Sequence, residues 1–302
     1  MTRAARVAAR AKINLVLRVD APDGSGYHPI ETLFARLDLA DVLTVRVAER
    51  GRSIDTLGAD VGPPESNLAF RAAVAFAERT GWPRGFAIEL EKAIPVGGGL
   101  GGGSADAGAV LRALNVLAPS ALSGDALLEV AAGLGADVPF LTTEHPLAIG
   151  RGRGERLFPV APLPVAEVSL VAFPFGISTR SAYAWLDESR SGGPGGTRSV
   201  AAKQRSPAVA AARGPGLRGS DRGATILDAV AVSSWTRVAA IAANDFEGPV
   251  TARHPEIARA LADARDGGAA IAQLSGSGST IFVISRLPGA SSEQRALHRE
   301  AR

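Results

Sequence analysis

The chain has 302 residues, enough for two domains with separate cores, and its 46% hydrophobic and 21% charged residues are typical of a globular protein. A formal net charge of only +3 does not favour a nucleic-acid partner, and no apolar run approaches the ~18–20 residues that span a bilayer. The absence of cysteine excludes disulfides, thiolate zinc sites and a cysteine nucleophile, and the four histidines have no metal-ligand spacing.

The first predicted element is a strand over residues 7–19, in which apolar residues alternate with others from Ile13 onward. Its early start argues against reading the N-terminal arginines as a transit peptide, and we expect a cytoplasmic protein. Lys12 and Asn14 are two residues apart and therefore project from one face of this strand. They are either the solvent face of an edge strand or a pair of site residues.

A loop rich in turn residues (22–26) leads to Tyr27 and His28, and strands are predicted over 30–37 and 41–47. Ligand contacts concentrate at such junctions between loop and strand. An aromatic ring beside an imidazole suits a planar, hydrogen-bonding ligand such as a nucleobase. The alternative is an ordinary aromatic residue that closes a hairpin.

A helix is predicted from Ser66-Asn67-Leu68 to about Thr80, with Gly81 as its C-terminal stop. A strand over residues 86–90 follows.

Six of the seven residues from 97 to 103 are glycine, and this run connects the strand to a helix with apolar residues at three- and four-residue intervals. We expect Ser104 to be the N-cap, Asp106 to add negative charge to the first turn, and Asn115 and Pro119 to mark the end. Bare backbone running into a helix N-terminus forms an anion site, most often for phosphate. A flexible linker is the alternative, while the GxGxxG match is weak and a Walker A motif is absent.

Another helix is predicted over residues 124–132, and Asp137 follows it in a tight turn, Gly135-Ala136-Asp137-Val138-Pro139. A partly buried carboxylate with a cationic partner can serve as a base or an electrostatic anchor. An aspartate at a helix end is, however, more often a cap.

Residues 148–155 read as a glycine-punctuated turn, and prolines at 159, 162 and 164 indicate a domain boundary near 160, between domains 1–160 and 161–302. The second half is predicted to contain a strand over 165–173 and a helix with Tyr183 and Trp185. A flexible basic insertion is expected over 189–224. Helices over 227–243 and 255–264, strands over 270–274 and 281–284, and a glycine-rich turn over 275–280 complete the chain.

Together these motifs resemble the GHMP kinases, the family of small-molecule kinases that includes homoserine, mevalonate and galactose kinases. The resemblance covers about residues 6–185 and 226–285 and rests on five motifs: Ala11-Lys12-Ile13-Asn14-Leu15, Gly26-Tyr27-His28 with Glu31-Thr32-Leu33-Phe34, Ile94 to Asp106, Gly135 to Pro139, and Asn244 to Glu247 with Ser275 to Thr280. It implies an α+β fold of two domains, an N-terminal ribosomal-S5-like α/β domain and a C-terminal ferredoxin-like domain, with the active site between them. The Lys-Ile-Asn and Gly-Tyr-His motifs narrow the resemblance to those family members that act on cytidine diphosphate methylerythritol in the non-mevalonate isoprenoid pathway.

The resemblance also implies site roles. Asp137 would take the proton from the 2-hydroxyl of the substrate, Lys12 would hold Asp137 ionised and neutralise the transferring group, and Asn14 would position the substrate. His28 would read the cytosine edge between Tyr27 and Tyr183. ATP would contact Asn67, near the adenine, and a phosphate cradle consisting of Pro95, Val96, Gly97, Gly98, Gly99, Leu100, Gly101, Gly102, Gly103, Ser104 and Ala105. Mg²⁺ would arrive with ATP, since no protein ligand is matched, with Ser104 as a candidate contact. No nucleic-acid or membrane partner is implied, and the oligomeric state is not indicated.

Three rivals stay open. The same fold could act on another alcohol, such as homoserine or mevalonate, and a substrate panel distinguishes these. A non-catalytic nucleotide sensor has no need of both Lys12 and Asp137. A Rossmann dehydrogenase needs an acidic residue at the end of the next strand, about 20 residues past the glycines, whereas residues 119–124 are predicted to be a loop between helices.

Overall fold

The computed structural model describes residues 3–59, 61–192 and 227–288. In these ranges the larger sheet has seven strands, in the order β3-β4-β2-β1-β8, with β5 beside β2 and β6 beside β5. The strands are β1 (Ala4–Val19), β2 (Ile30–Ala48), β3 (Arg52–Leu57), β4 (Gly85–Glu91), β5 (Leu147–Gly152), β6 (Arg156–Pro159) and β8 (Ala243–Asn244).

Strand β1 lies inside the sheet, antiparallel to β2 and parallel to β8. Its second half is buried almost throughout, so the strand predicted over 7–19 is confirmed. The interpretation of Lys12 and Asn14 as the solvent face of an edge strand is wrong, because both side chains are buried.

Strand β2 is one element of 19 residues where two strands were predicted. Its first part pairs with β5 and its last part with β4, while β1 runs along nearly all of it. Pairing with a long neighbour overrides the local break in alternation. Residues 147–152 are a strand rather than a turn, and β3 and β6 were not predicted.

The helices of the first half are α1 (Leu68–Thr80), α2 (Gly102–Leu117), α3 (Gly124–Ala132) and the short α4 (Val138–Thr142). Helix α1 has the predicted bounds: Asn67 is its N-cap, and it stops at the predicted Gly81, which takes the left-handed conformation. The N-cap prediction for Ser104 is wrong, because α2 begins at Gly102 with Gly101 as its cap. Asp106 accordingly lies beyond the first turn.

The second half contains a smaller sheet, in the order β7-β10-β9, and four helices within the described ranges. These are β7 (Ser169–Val171), β9 (Ile271–Leu274), β10 (Ile281–Ile284), α5 (Thr179–Arg190), α6 (Trp235–Ile241), α7 (Glu247–Thr251) and α8 (Pro255–Asp266). The strand predicted over 165–173 shrinks to β7, and the helix predicted over 227–243 shrinks to α6. Of the insertion predicted over 189–224, the first two residues belong to α5 and positions 193–224 lie outside the described residues.

The two halves share structure. Strand β8, from the second half, joins the larger sheet, and the main core includes Trp235, Val238 and Phe282 beside first-half residues. The domain limits 1–160 and 161–302 therefore stay a prediction. Among the helices of the described ranges, none is both long and apolar enough to cross a membrane.

Candidate active site

Lys12 and Asp137 meet although they are far apart in the sequence. The Lys12 Nζ lies 3.1 Å from Asp137 Oδ2, and the two side chains are 4% and 29% exposed. The cation is thus enclosed, while its carboxylate partner is open to a ligand. A buried ammonium needs such a partner, because desolvation of an unpaired charge is costly.

Asn14 holds the lysine in this position. Its Oδ1 accepts a hydrogen bond from Lys12 Nζ at 2.7 Å, and its Nδ2 donates one to Thr32 Oγ1 at 2.7 Å. Thr32 donates in turn to the Val16 carbonyl at 2.7 Å. These hydrogen bonds fix the Lys12 side chain against β1 and β2, so that its ammonium group faces Asp137.

Asp137 occupies the N-cap position of α4, but its side chain makes no capping hydrogen bond. The cap interpretation therefore holds for its place in the chain and not for its side chain. The last carbonyls of α4 are held by two arginines that the sequence did not single out: Arg36 Nη2 donates to Phe140 and Thr143, and Arg112 Nη1 to Leu141. Burial lowers the pKa of Arg36 to about 10, which still leaves it charged at neutral pH. Both cations fix the short helix that carries Asp137.

The glycine loop (residues 97–103) passes directly over Lys12. The Lys12 backbone N–H donates to the Leu100 carbonyl at 3.0 Å. A Cβ added to Gly101 would stand 3.0 Å from Lys12 Cε, so only glycine leaves room for the lysine stem. The glycine loop and the ion pair are therefore parts of one site.

The backbone donors of this loop are not used by the protein. Within the described residues, the N–H groups of residues 97–104 form no hydrogen bond. Val96, Gly97 and Gly103 are exposed, while Gly98, Leu100 and Ala105 are buried and Pro95 and Ser104 are half-buried. Unpaired donors at a helix N-terminus are suited to an anion such as phosphate.

The second glycine-rich turn, residues 275–280, supports the loop from beneath. Ser275 Oγ donates to the Gly99 carbonyl at 3.0 Å, and the Thr280 N–H donates to the Gly98 carbonyl at 3.2 Å. A Cβ on Gly99 would lie 2.0 Å from the Ser275 carbonyl oxygen. This close packing excludes the interpretation of the loop as a flexible linker.

A second buried cation, Lys92, lies beside the start of α2 and was missed in the sequence. Its Nζ bonds Asp41 and, at 2.7 Å, Asp106, and all three side chains are at most 4% exposed. Asp41 also accepts from the N–H groups of Ala93 and Ile94. Asp106 has no partner for Oδ1, and burial raises its pKa to about 7 against the opposing effect of Lys92. The cluster joins β2, β4 and α2 at the base of the loop.

The residues predicted for base recognition also gather near Asp137. The His28 and Tyr183 ring centroids are 4.9 Å apart, and burial together with Tyr27 and Asp137 raises the pKa of Tyr183 to about 12. Tyr27 is 41% exposed, with the Arg153 guanidinium 3.9 Å above its ring. Tyr27 also lies in the β1–β2 hairpin connection, so both interpretations of it remain open.

Asn67 lies at the start of α1, and its Oδ1 caps this helix by accepting from the Ala69 N–H at 2.8 Å. A groove of about 520 Å³, lined by residues between 54 and 62, is close by, since Gly62 packs against Ser66. Another cavity of about 470 Å³ lies between α1 and α3, and neither Lys12 nor Asp137 lines it. In the described part of the chain no three His, Cys, Asp or Glu side chains are grouped to hold a metal ion.

Comparison with known proteins gives matches to both parts of one family. The GHMP kinases N terminal domain matches residues 67–145, and the GHMP kinases C terminal region matches residues 226–302. The two matches together cover more than half of the chain.

Curated relatives and a solved structure agree with the family match. The chain is 39% identical over 283 residues to the 4-diphosphocytidyl-2-C-methyl-D-erythritol kinase of Anaeromyxobacter dehalogenans (strain 2CP-C), covering 91% of this chain and 79% of that one. It is 38% identical to the enzyme of that name from Pelotomaculum thermopropionicum, covering 91% and 87%. A crystal structure of 4-(cytidine 5'-diphospho)-2C-methyl-D-erythritol kinase superposes with a TM-score of 0.69 at 31% identity, covering 98% and 96%.

Proposed function

The chain belongs to the GHMP kinases, and from this membership we propose that it transfers the γ-phosphoryl group of ATP to the 2-hydroxyl of 4-diphosphocytidyl-2-C-methyl-D-erythritol. The reaction is a step of the non-mevalonate route to isoprenoid precursors. Relatives that cover most of this chain carry the name of that kinase.

The observation that carries the proposal is the Lys12–Asp137 pair, 3.1 Å apart, beneath a loop whose N–H groups are unpaired in the described structure. Phosphoryl transfer requires positioning and charge neutralisation more than covalent chemistry. Asp137 accepts the proton of the attacking hydroxyl. Lys12 keeps that carboxylate ionised and offsets the charge on the transferring group.

The loop N–H groups of residues 97–104 bind the triphosphate, with the start of α2 adding its positive dipole end. Asn67 and the groove beside it receive the adenine. Mg²⁺ arrives with the nucleotide, and Ser104, in the first turn of α2, is the candidate protein contact. The protein acts in the cytoplasm on small molecules.

His28, Tyr27 and Tyr183 bind the cytosine. Asn14 acts mainly through Lys12, because its carbonyl oxygen is taken by that side chain. Its amide nitrogen has a second N–H beyond the one given to Thr32, and this N–H contacts the substrate.

A substrate panel tests the proposal. ADP release is measured with 4-diphosphocytidyl-2-C-methyl-D-erythritol, with 2-C-methyl-D-erythritol 4-phosphate, which lacks the CMP part, and with homoserine and mevalonate. We expect turnover only with the cytidyl compound. Turnover with homoserine or mevalonate at a similar kcat/KM would assign the site to another alcohol, and ATP binding without ADP release from any compound would support the sensor.

A further inference from the structure

His28 is bonded to a residue that the sequence did not mark. The His28 Nε2 lies 2.8 Å from Asp187 Oδ1. His28 stands just before β2, whereas Asp187 lies in the second half of α5, so the bond joins two segments that are far apart in the sequence. The imidazole is 10% exposed and the carboxylate 43% exposed.

Helix α5 fixes the imidazole at two points. Tyr183 and Asp187 are four residues apart and therefore lie on the same face of the helix. Tyr183 packs on the His28 ring at 4.9 Å, with 37° between the planes, and is itself held edge-on by Phe246 at 4.9 Å. Little rotation of the His28 ring is left.

The bond to Asp187 also determines which nitrogen carries the proton. An ionised carboxylate only accepts hydrogen bonds, so in the neutral imidazole Nε2 is the donor and Nδ1 is the acceptor. Nδ1 makes no hydrogen bond to any described residue. It is left as an acceptor for a ligand.

The pyrimidine bases differ in what they present to such an acceptor. Cytosine has an exocyclic amino group, a donor, at the position where uracil has a carbonyl oxygen. The acceptor nitrogen forms a hydrogen bond with the amino group of cytosine. With uracil it faces the carbonyl oxygen, another acceptor, and this contact costs binding free energy.

We propose that Asp187 is a positioning residue that, through the tautomer of His28, makes this chain select cytosine over uracil in its substrate. The inference rests on the proposed function, because it assigns a role at the base-binding part of that site.

A merely structural role for Asp187 makes a different prediction. Helix α5 is already tied to the first half by Arg190, whose Nη2 donates to the Val19 carbonyl at 2.7 Å and to Asp245 at 3.1 Å. Removal of that tie disturbs the helix without changing the His28 tautomer. Arg190→Gln is therefore the matched control for Asp187→Asn.

The experiment measures binding and turnover separately, both at pH 8. Binding of CDP and of UDP is measured by calorimetry with a non-hydrolysable ATP analogue occupying the ATP site. The cytidyl substrate and its uridyl counterpart are then compared by kcat and KM.

The wild type and Arg190→Gln are expected to prefer the cytosine compounds. Asp187→Asn lets either ring nitrogen carry the proton, so the preference falls roughly tenfold or more, mainly through KM of the cytidyl substrate and with kcat within about twofold. An unchanged preference in Asp187→Asn, or an equal loss in Arg190→Gln, would overturn the inference. Wild-type preference for CDP in binding, without turnover, would instead contradict the proposed function alone.

Discussion

Lys12 and Lys92 are both buried, but their carboxylate partners differ in number and in how they are held. Lys92 faces two carboxylates that are 0% and 4% exposed, one of which is also bonded to two backbone N–H groups. Lys12 faces one carboxylate, Asp137, which is more exposed and makes no capping bond. The first arrangement is closed to ligands, while the second leaves a carboxylate accessible, as the proposed role of Asp137 as a base requires.

The first residue-scale prediction concerns Asp137. Asp137→Asn keeps the shape of the side chain and removes the proton acceptor, so kcat should fall about 10²–10⁴-fold with little change in KM for ATP. Steady-state ADP release measures both constants, and circular dichroism checks the fold. Near-normal kcat in this variant would rule out Asp137 as the base.

The second residue-scale prediction concerns Asp106. Burial raises its pKa to about 7, above the usual 3.8, so between these values the folded state binds more protons than the unfolded state. Its contribution to the free energy of unfolding is therefore present at acidic pH, is lost as the pH rises through about 7, and is flat above that.

Asp106→Asn removes this titration. The free energy of unfolding of both proteins is measured with urea at pH 5 and at pH 8. The difference, variant minus wild type, should be more positive at pH 8 than at pH 5 by roughly 2–4 kcal/mol. The same difference between variant and wild type at both pH values would contradict the assignment.

At the residue scale, sequence reasoning found the groups that face the cleft and missed those that support them. Lys12, Asp137, Tyr27 and His28 stand in the motifs of the family resemblance, and Tyr183 was assigned through that resemblance alone. Lys92 directly follows β4 in a Glu-Lys pair, a context that predicts exposure to solvent. Its burial is tolerable because Asp41 from β2 and Asp106 from α2 both pair with it, and no local sequence pattern encodes such a pairing.

At the scale of elements, the two glycine-rich segments act as one unit. Gly99 has φ +78° and a Cβ on it would lie 2.0 Å from the Ser275 carbonyl oxygen, whereas Gly51 has φ +80° and open space around it. The two glycines have nearly the same φ angle, but only Gly99 is packed against another segment of the chain.

Gly99→Ala should therefore cost about 1–3 kcal/mol from overpacking in addition to the backbone strain, and should raise KM for ATP more than tenfold. Gly51→Ala should show only the backbone strain, about 1–2 kcal/mol, with KM unchanged. Thermal unfolding and ATP kinetics measure the two effects. Equal behaviour of the two variants would mean that the glycines serve the backbone conformation alone.

Elements with their own end signals were predicted well. Helix α1 carries both a side-chain cap and a left-handed glycine stop, and α3 has the Ser123 cap, so their bounds agree with the sequence. Helix α2 starts inside the glycine run, with Gly101 at φ 71° as its N-cap. No side chain caps this end, so the sequence has no local signal for it. Strand β2 pairs with three other strands, β1, β4 and β5. Its length depends on these distant partners and cannot be predicted from its own residues.

At the scale of the whole molecule, the larger sheet and main core draw on both halves of the sequence. Strand β8 pairs with β1, and Gln273 donates to the Asn14 and Leu15 carbonyls at 2.9 and 3.1 Å. The strand that carries Lys12 is thus fixed by residues more than 200 positions away. The family resemblance, not the composition, supplied both the fold class and the expected arrangement of the domains.

Because the core is shared, the halves should unfold together. Trp82 packs against the main core, whereas Trp185 packs against the second core, which consists mostly of second-half residues. Variants that keep only Trp82 or only Trp185 should give coincident urea transitions by fluorescence. Two separated transitions would show that residues 1–160 and 161–302 are independent folding units.

The most direct test of the account is a structure of the protein with a non-hydrolysable ATP analogue and 4-diphosphocytidyl-2-C-methyl-D-erythritol. We predict the triphosphate on the N–H groups of residues 97–104, the γ-phosphorus beside Lys12 Nζ, and the 2-hydroxyl oxygen about 2.6–3.2 Å from the Asp137 carboxylate. A triphosphate bound away from this loop, or a 2-hydroxyl out of reach of Asp137, would contradict it.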